Sequence, residues 1–175
     1  IGDAVAEHTA IVGGDVYGGG DAANVVGTPV VNIVNKCNTT IGNVYGGGNA
    51  ADVNGTYVNI DGGTITGMVF GGGHGDNSAE ISANVNGNVN LDITGGTINK
   101  VFGGSNSMGN ITGSIALNIQ KVDGHCDMRI AEVYGGGNEA NGNAGTLTIG
   151  CTGALVEGDE GHLAHPENIG KTLEG

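Results

Sequence analysis

The chain is 175 residues long, with 38 glycines, no tryptophan and a formal net charge of −13 from 18 acidic against 5 basic side chains. That length suffices for one domain with a core, while two prolines without a G-X-Y period exclude collagen and 38% apolar residues are too many for a disordered linker. No basic stripe and no apolar run near the roughly 20 residues of a membrane span are present, so neither nucleic acid nor membrane insertion is expected. The chain opens at Ile1 without a methionine, which fits a processed chain or a fragment.

In chain order, the first recognisable element is Val16-Tyr17-Gly18-Gly19, and the same valine–aromatic–glycine–glycine string returns at Val44, Val69, Val101 and Val133. Its aromatics are Tyr17, Tyr45, Phe70, Phe102 and Tyr134, at steps of 28, 25, 32 and 32 residues. A polar loop follows each signature, then a small apolar beat closed by glycine: Val25 to Gly27, Val53 to Gly55, Val85 to Gly87 and Ile111 to Gly113. Next comes an alternating strand, with Val31 and Ile33, Val58 and Ile60, Leu91 and Ile93, Leu117 and Ile119, or Leu147 and Ile149 on one face. Asn32, Asn59, Asp92, Asn118 and Thr148 occupy the opposite face. A last beat opens at Ile41, Ile65, Ile98 or Ile130 and runs into the next signature.

Short strands and glycine corners at a period of about 25 to 32 residues specify a right-handed parallel β-helix, or β-solenoid, of five to six irregular coils. Unequal steps place loops of different length on a common coil, and helices should be nearly absent. The repeats span 1–158. The segment 159–175, with Pro166 and the pair His162 and His165, departs from them and reads as a cap, linker or docking segment.

Candidate functional residues follow from the same phasing. The five aromatics form a stacked structural ladder, although exposed tyrosines could also stack on sugar rings. The polar row at Asn32, Asn59, Asp92, Asn118 and Thr148 is either a hydrogen-bonded ladder or a glycan-binding strip. Cys37, Cys126 and Cys151 each lie four residues before an aliphatic, which places Cys126 and Cys151 in adjacent coils at equivalent positions. They are expected to form a disulfide or two stacked thiols, leaving Cys37 over. Asp21, Asp52 and Asp76 in the polar loops are weak calcium candidates, since the G-G-x-G-x-D nonapeptide is missing; otherwise no metal and no cofactor is expected. A carbohydrate-active site would need a carboxylate pair, such as Asp61 with Asp92, or Asp123 with Asp127 and Glu132. Nothing distinguishes those pairs on so acidic a surface, and a non-enzyme is the expected class.

At Val44 to Asn49, Gly62 to Ile65 and Gly95 to Ile98 the chain resembles the glycine-rich β-solenoid repeats of bacterial adhesin-like surface proteins, over about residues 10 to 158. The resemblance implies a secreted or surface-exposed structural module without a cofactor. Its partners would be a cell-surface glycan or protein, or further copies of itself stacked head-to-tail into a fibre. The alternative is a glycosidase or polysaccharide lyase built on the same coil.

Overall fold

The structure is a computed structural model and describes residues 10–34, 37–142 and 145–151. Its elements are twelve strands: β1 (Ile11–Val12), β2 (Val16–Tyr17), β3 (Val30–Ile33), β4 (Thr40–Ile41), β5 (Val44–Tyr45), β6 (Thr56–Ile60), β7 (Thr64–Phe70), β8 (Val89–Ile93), β9 (Gly96–Phe102), β10 (Ile115–Lys121), β11 (Met128–Tyr134) and β12 (Thr146–Cys151). No helix is found among the described residues. The proposed tail at 159–175 lies outside them.

All strand pairing is parallel and always joins one repeat to the next. One sheet stacks β3, β6, β8, β10 and β12. The other stacks β1 and β2, then β4 and β5, then β7, β9 and β11. A third line is held by the bridges Val25 to Val53, Val53 to Val85 and Val85 to Ile111, which is the small beat closed by glycine. The chain therefore winds as a parallel β-solenoid of about five turns with three sides.

Each side contributes to one continuous interior. Val31, Ile33, Val58, Ile60, Leu91, Ile93, Leu117 and Ile119 point inward from the first sheet against Ile41, Ile65, Ile98, Val44, Val69 and Val101 from the second. Val53, Val85 and Ile111 close the third side against Val89 and Ile115. A single turn could not bury these faces; stacking makes the core.

The glycines divide into two classes. Gly63, Gly96 and Gly109 have φ of 84°, 101° and 155°, a backbone that other residues rarely adopt. The glycine after each aromatic serves close approach instead: a Cβ on Gly18, Gly46, Gly71 or Gly103 would lie 2.2 to 2.4 Å from the carbonyl oxygen of the equivalent glycine in the next turn. Backbone stacking at the corner leaves no room for a side chain. In the third turn the step from Ile65 to Val69 holds one residue more than its neighbours, and the structure absorbs it as an irregularity between Ile65 and Met68. Asn43 Oδ1 accepts the Met68 N–H there at 2.7 Å.

Candidate functional site

The aromatics of the repeated signature form one column. Tyr17, Tyr45, Phe70, Phe102 and Tyr134 stack in that order with ring centroids 4.8 to 5.0 Å apart and planes within 10° of parallel. The separation is the rise of one turn. It exceeds the ~3.5 Å contact distance of carbon atoms, so the rings slide past one another into the offset arrangement aromatic pairs prefer. Tyr45, Phe70 and Phe102 are buried. Only the outer rings could meet a ligand, which leaves no exposed platform for a sugar along the column.

Burial pushes the Tyr45 hydroxyl up to about 12, with the Asp15 carboxylate adding to the rise and a hydrogen bond from Asn106 opposing it. The folded state thus holds this proton more tightly than the unfolded chain, whose tyrosines ionise near 10. Stability from Tyr45 is full below pH 10 and lost as pH rises from about 10 to about 12. Alkaline unfolding followed by tyrosinate absorbance should fall in that window. Tyr45→Phe should move the transition to higher pH.

Polar side chains line the corners as ladders of their own. Asn24 Oδ1 accepts the Asp52 N–H, Asp52 Oδ1 accepts the Asn84 N–H, and Asn84 Oδ1 accepts the Asn110 N–H, each at 2.9 Å. These four residues sit immediately before Val25, Val53, Val85 and Ile111, where the corner needs an acceptor for the next turn's N–H. Asp15 serves Asn43 in the same way. Asparagine and aspartate are equivalent in this role because only the oxygen is required. Asp52→Asn should therefore lie within about 0.5 kcal/mol of the parent, whereas Asp52→Ala should cost about 1 to 3 kcal/mol in denaturant unfolding.

The weak calcium candidates are committed to such local bonds. Asp21 accepts from Asn49 Nδ2 at 2.7 Å, and Asp52 belongs to the ladder just described. Asp76 caps its own turn, accepting from Ser78 N, Ser78 Oγ and Ala79 N, and the Ser78 bonds hold its carboxyl below the usual range. Asn49 in turn meets His74 Nδ1 at 2.8 Å. Among the described residues no three His, Cys, Asp or Glu side chains converge as a metal site.

Asn32, Asn59, Asp92, Asn118 and Thr148 fall in one register across the first sheet. Asn118 Nδ2 donates to Asp92 Oδ1, and Tyr57 donates its hydroxyl to Asp92 Oδ2, both at 2.8 Å. Asn59 turns sideways instead, donating to Asp61 at 3.1 Å. Asp61 also accepts from Thr94 Oγ1 at 2.7 Å. Both members of the first acid pair thus act as acceptors for neighbouring donors. Glu132 accepts from Tyr134 and from Lys100, and these two bonds lower its pKa, opposite to the rise a general acid requires.

The cysteine pairing differs from the sequence expectation. Cys126 is bonded to Cys37, with Cα atoms 5.5 Å apart and 89 residues between them in sequence. Cys151 lies in register with Lys121 and so is not at the position equivalent to Cys126. Counting back from an aliphatic holds for Cys37 and Cys126, since Ile41 and Ile130 share one register, and fails for Cys151, which lies in β12 and not in a corner. Corners 34–39 and 122–127 are long, whereas 61–63 and 94–95 are short and contain glycine. The two long corners are the ones that carry the bonded cysteines, and that coincidence of length and cysteine was the available signal.

Comparisons with protein-family models, curated proteins and solved structures found no match. The glycine-rich repeat therefore defines the fold of this chain, a parallel β-solenoid of about five turns, without assigning it to a family.

Proposed function

We propose that this chain is a non-enzymatic structural module, a β-solenoid of an extracellular or cell-surface protein in the manner of adhesin-like repeats. The observation that carries this reading is the commitment of its polar side chains. Asp15, Asp52, Asn84, Asp92 and Asp61 all hydrogen-bond along or across turns instead of converging on a common point. A disulfide between distant turns supports an oxidising compartment. Outer-face contacts would then be made with a surface glycan or protein.

A glycan array combined with a screen for sugar release from neutral and acidic polysaccharides tests the reading. Binding without product is expected. Product release that disappears in Asp61→Asn or Asp92→Asn would overturn it in favour of a carbohydrate-active site.

The outermost described turns favour a second reading, stacking of copies. Ile149 on the last turn, in register with the inward-facing and buried Ile119, is 60% exposed. Among the described residues no further strand pairs with the outer edges of the end turns, and such edges accept another turn. Light scattering under dilution and electron microscopy of the full chain would detect filaments; a strictly monomeric chain would end this reading.

A further inference from the structure

Three turns separate the corner that enters β4 from the corner that enters β11, a rise of about 14 Å at the spacing of stacked strands. Cys37 and Cys126 close that distance by reaching over the intervening corners at Gly63 and Gly96. The fit on the Cys126 side is tight: a Cβ on Gly95 would lie 2.8 Å from the Cys126 carbonyl oxygen. Beneath the arch lies a cleft of about 400 Å3, floored by Gly63, Thr64, Gly96 and Thr97 and flanked by His125 and Asp127.

The two arms of the arch are held differently. The Cys126 arm is anchored without the disulfide: Val122 N donates to Thr94 O at 3.3 Å, His125 Nδ1 meets Thr94 Oγ1 at 2.8 Å, and Lys121 Nζ donates to the carbonyls of Val122 and His125. The Cys37 arm is tied to the next turn by Thr64 N donating to Thr39 O at 2.8 Å, but it buries the Thr39 hydroxyl completely, with no hydrogen-bond partner. An orphaned buried hydroxyl disfavours the closed position and regains a partner when the arm meets water. Cys37 is exposed and Cys126 is 7% exposed, so an incoming thiol reaches Cys37 first.

We propose that the Cys37–Cys126 bond is a redox-operated strap: exchange with a small thiol at Cys37 frees the 37–39 arm, uncouples the second turn from the fifth and uncovers the cleft. In the first step a thiolate attacks Cys37 Sγ, the protein disulfide breaks, and its electron pair leaves on Cys126 Sγ, which takes a proton from solvent. A second thiolate then attacks the small-molecule sulfur of the mixed disulfide and releases Cys37 as a thiol. Two small thiols are oxidised for one protein disulfide reduced. Strand pairing couples each turn to its neighbours, and the strap is the one covalent link among the described residues that acts across several turns.

The test uses the full chain in a Cys151→Ser background, with reduced glutathione as the thiol. Mass spectrometry of the quenched intermediate should find glutathione on Cys37 and a free thiol at Cys126. Hydrogen exchange should become at least about tenfold faster at 37–39 after reduction, with smaller gains at β11 and none at β6 and β8. Thr39→Val removes the orphaned hydroxyl and should slow reduction at equal glutathione. A Cys37→Ser, Cys126→Ser double variant should show the reduced pattern without any thiol. Reduction only upon global unfolding, unchanged exchange in the reduced protein, or glutathione on Cys126 would overturn the proposal. If the double variant does not fold, the exchange comparison on the parent chain still decides it.

Discussion

Gly71→Ala is expected to destabilise the protein by about 3 kcal/mol or more, a large fraction of the 5 to 15 kcal/mol typical of a domain. The new Cβ would stand 2.3 Å from the Gly103 carbonyl oxygen and 2.5 Å from Val89 Cγ1. Neither neighbour can yield cheaply. The oxygen belongs to the stacked corner, where Gly71 N donates to Phe102 O at 3.0 Å, and Val89 of β8 is fully buried against the third side of the core. Relief would require parting the third and fourth turns. Gly135 occupies the same place in the last described turn, yet a Cβ there meets only Leu147 Cβ at 3.9 Å among the described residues. Gly135→Ala should therefore be within about 0.5 kcal/mol of the parent in denaturant unfolding. The pair also discriminates the two functional readings. Where another copy's turn stacks on this corner, Gly135→Ala should abolish assembly while leaving the fold intact.

That contrast explains what the sequence makes legible. A parallel solenoid writes its fold as recurrence, because each inward position must be filled in every turn and the same geometric demand selects the same residue. Val-aromatic-Gly-Gly and the alternating strands at Val58 and Leu91 are such demands, and they locate the turns, the core and the aromatic column directly. The corner ladder was equally recurrent, as Asn24, Asp52, Asn84 and Asn110, but it hides behind the interchange of two residue types that share only an acceptor oxygen. Phase placed Cys37 and Cys126 at one position of the coil but did not show that they pair across three turns. Cys37 and Cys126 sit in the two long corners, where sequence offset no longer measures height along the stack. Offsets fix position only where strands hold the chain to one rise per turn.

Phe70→Ala should cost about 3 to 5 kcal/mol, the range for deleting a fully buried aromatic. Phe70 is the middle ring of the column, 5.0 Å from both Tyr45 and Phe102 and without any exposure. The turn spacing is fixed by backbone pairing on both sides of the ring, through Gly46 N to Phe70 O and Gly71 N to Phe102 O. The neighbouring rings therefore cannot close the gap, and the cavity remains. Phe70→Leu separates the two contributions, since leucine restores most of the apolar volume but none of the stacking. Two ring contacts at about 0.5 to 1.5 kcal/mol each predict a loss of about 1 to 3 kcal/mol for the leucine variant. Equal stability of Phe70→Leu and the parent would mean that the column acts through burial alone. A loss as large as that of alanine would mean that ring stacking, repeated turn by turn, sets the register that every ladder in the molecule follows.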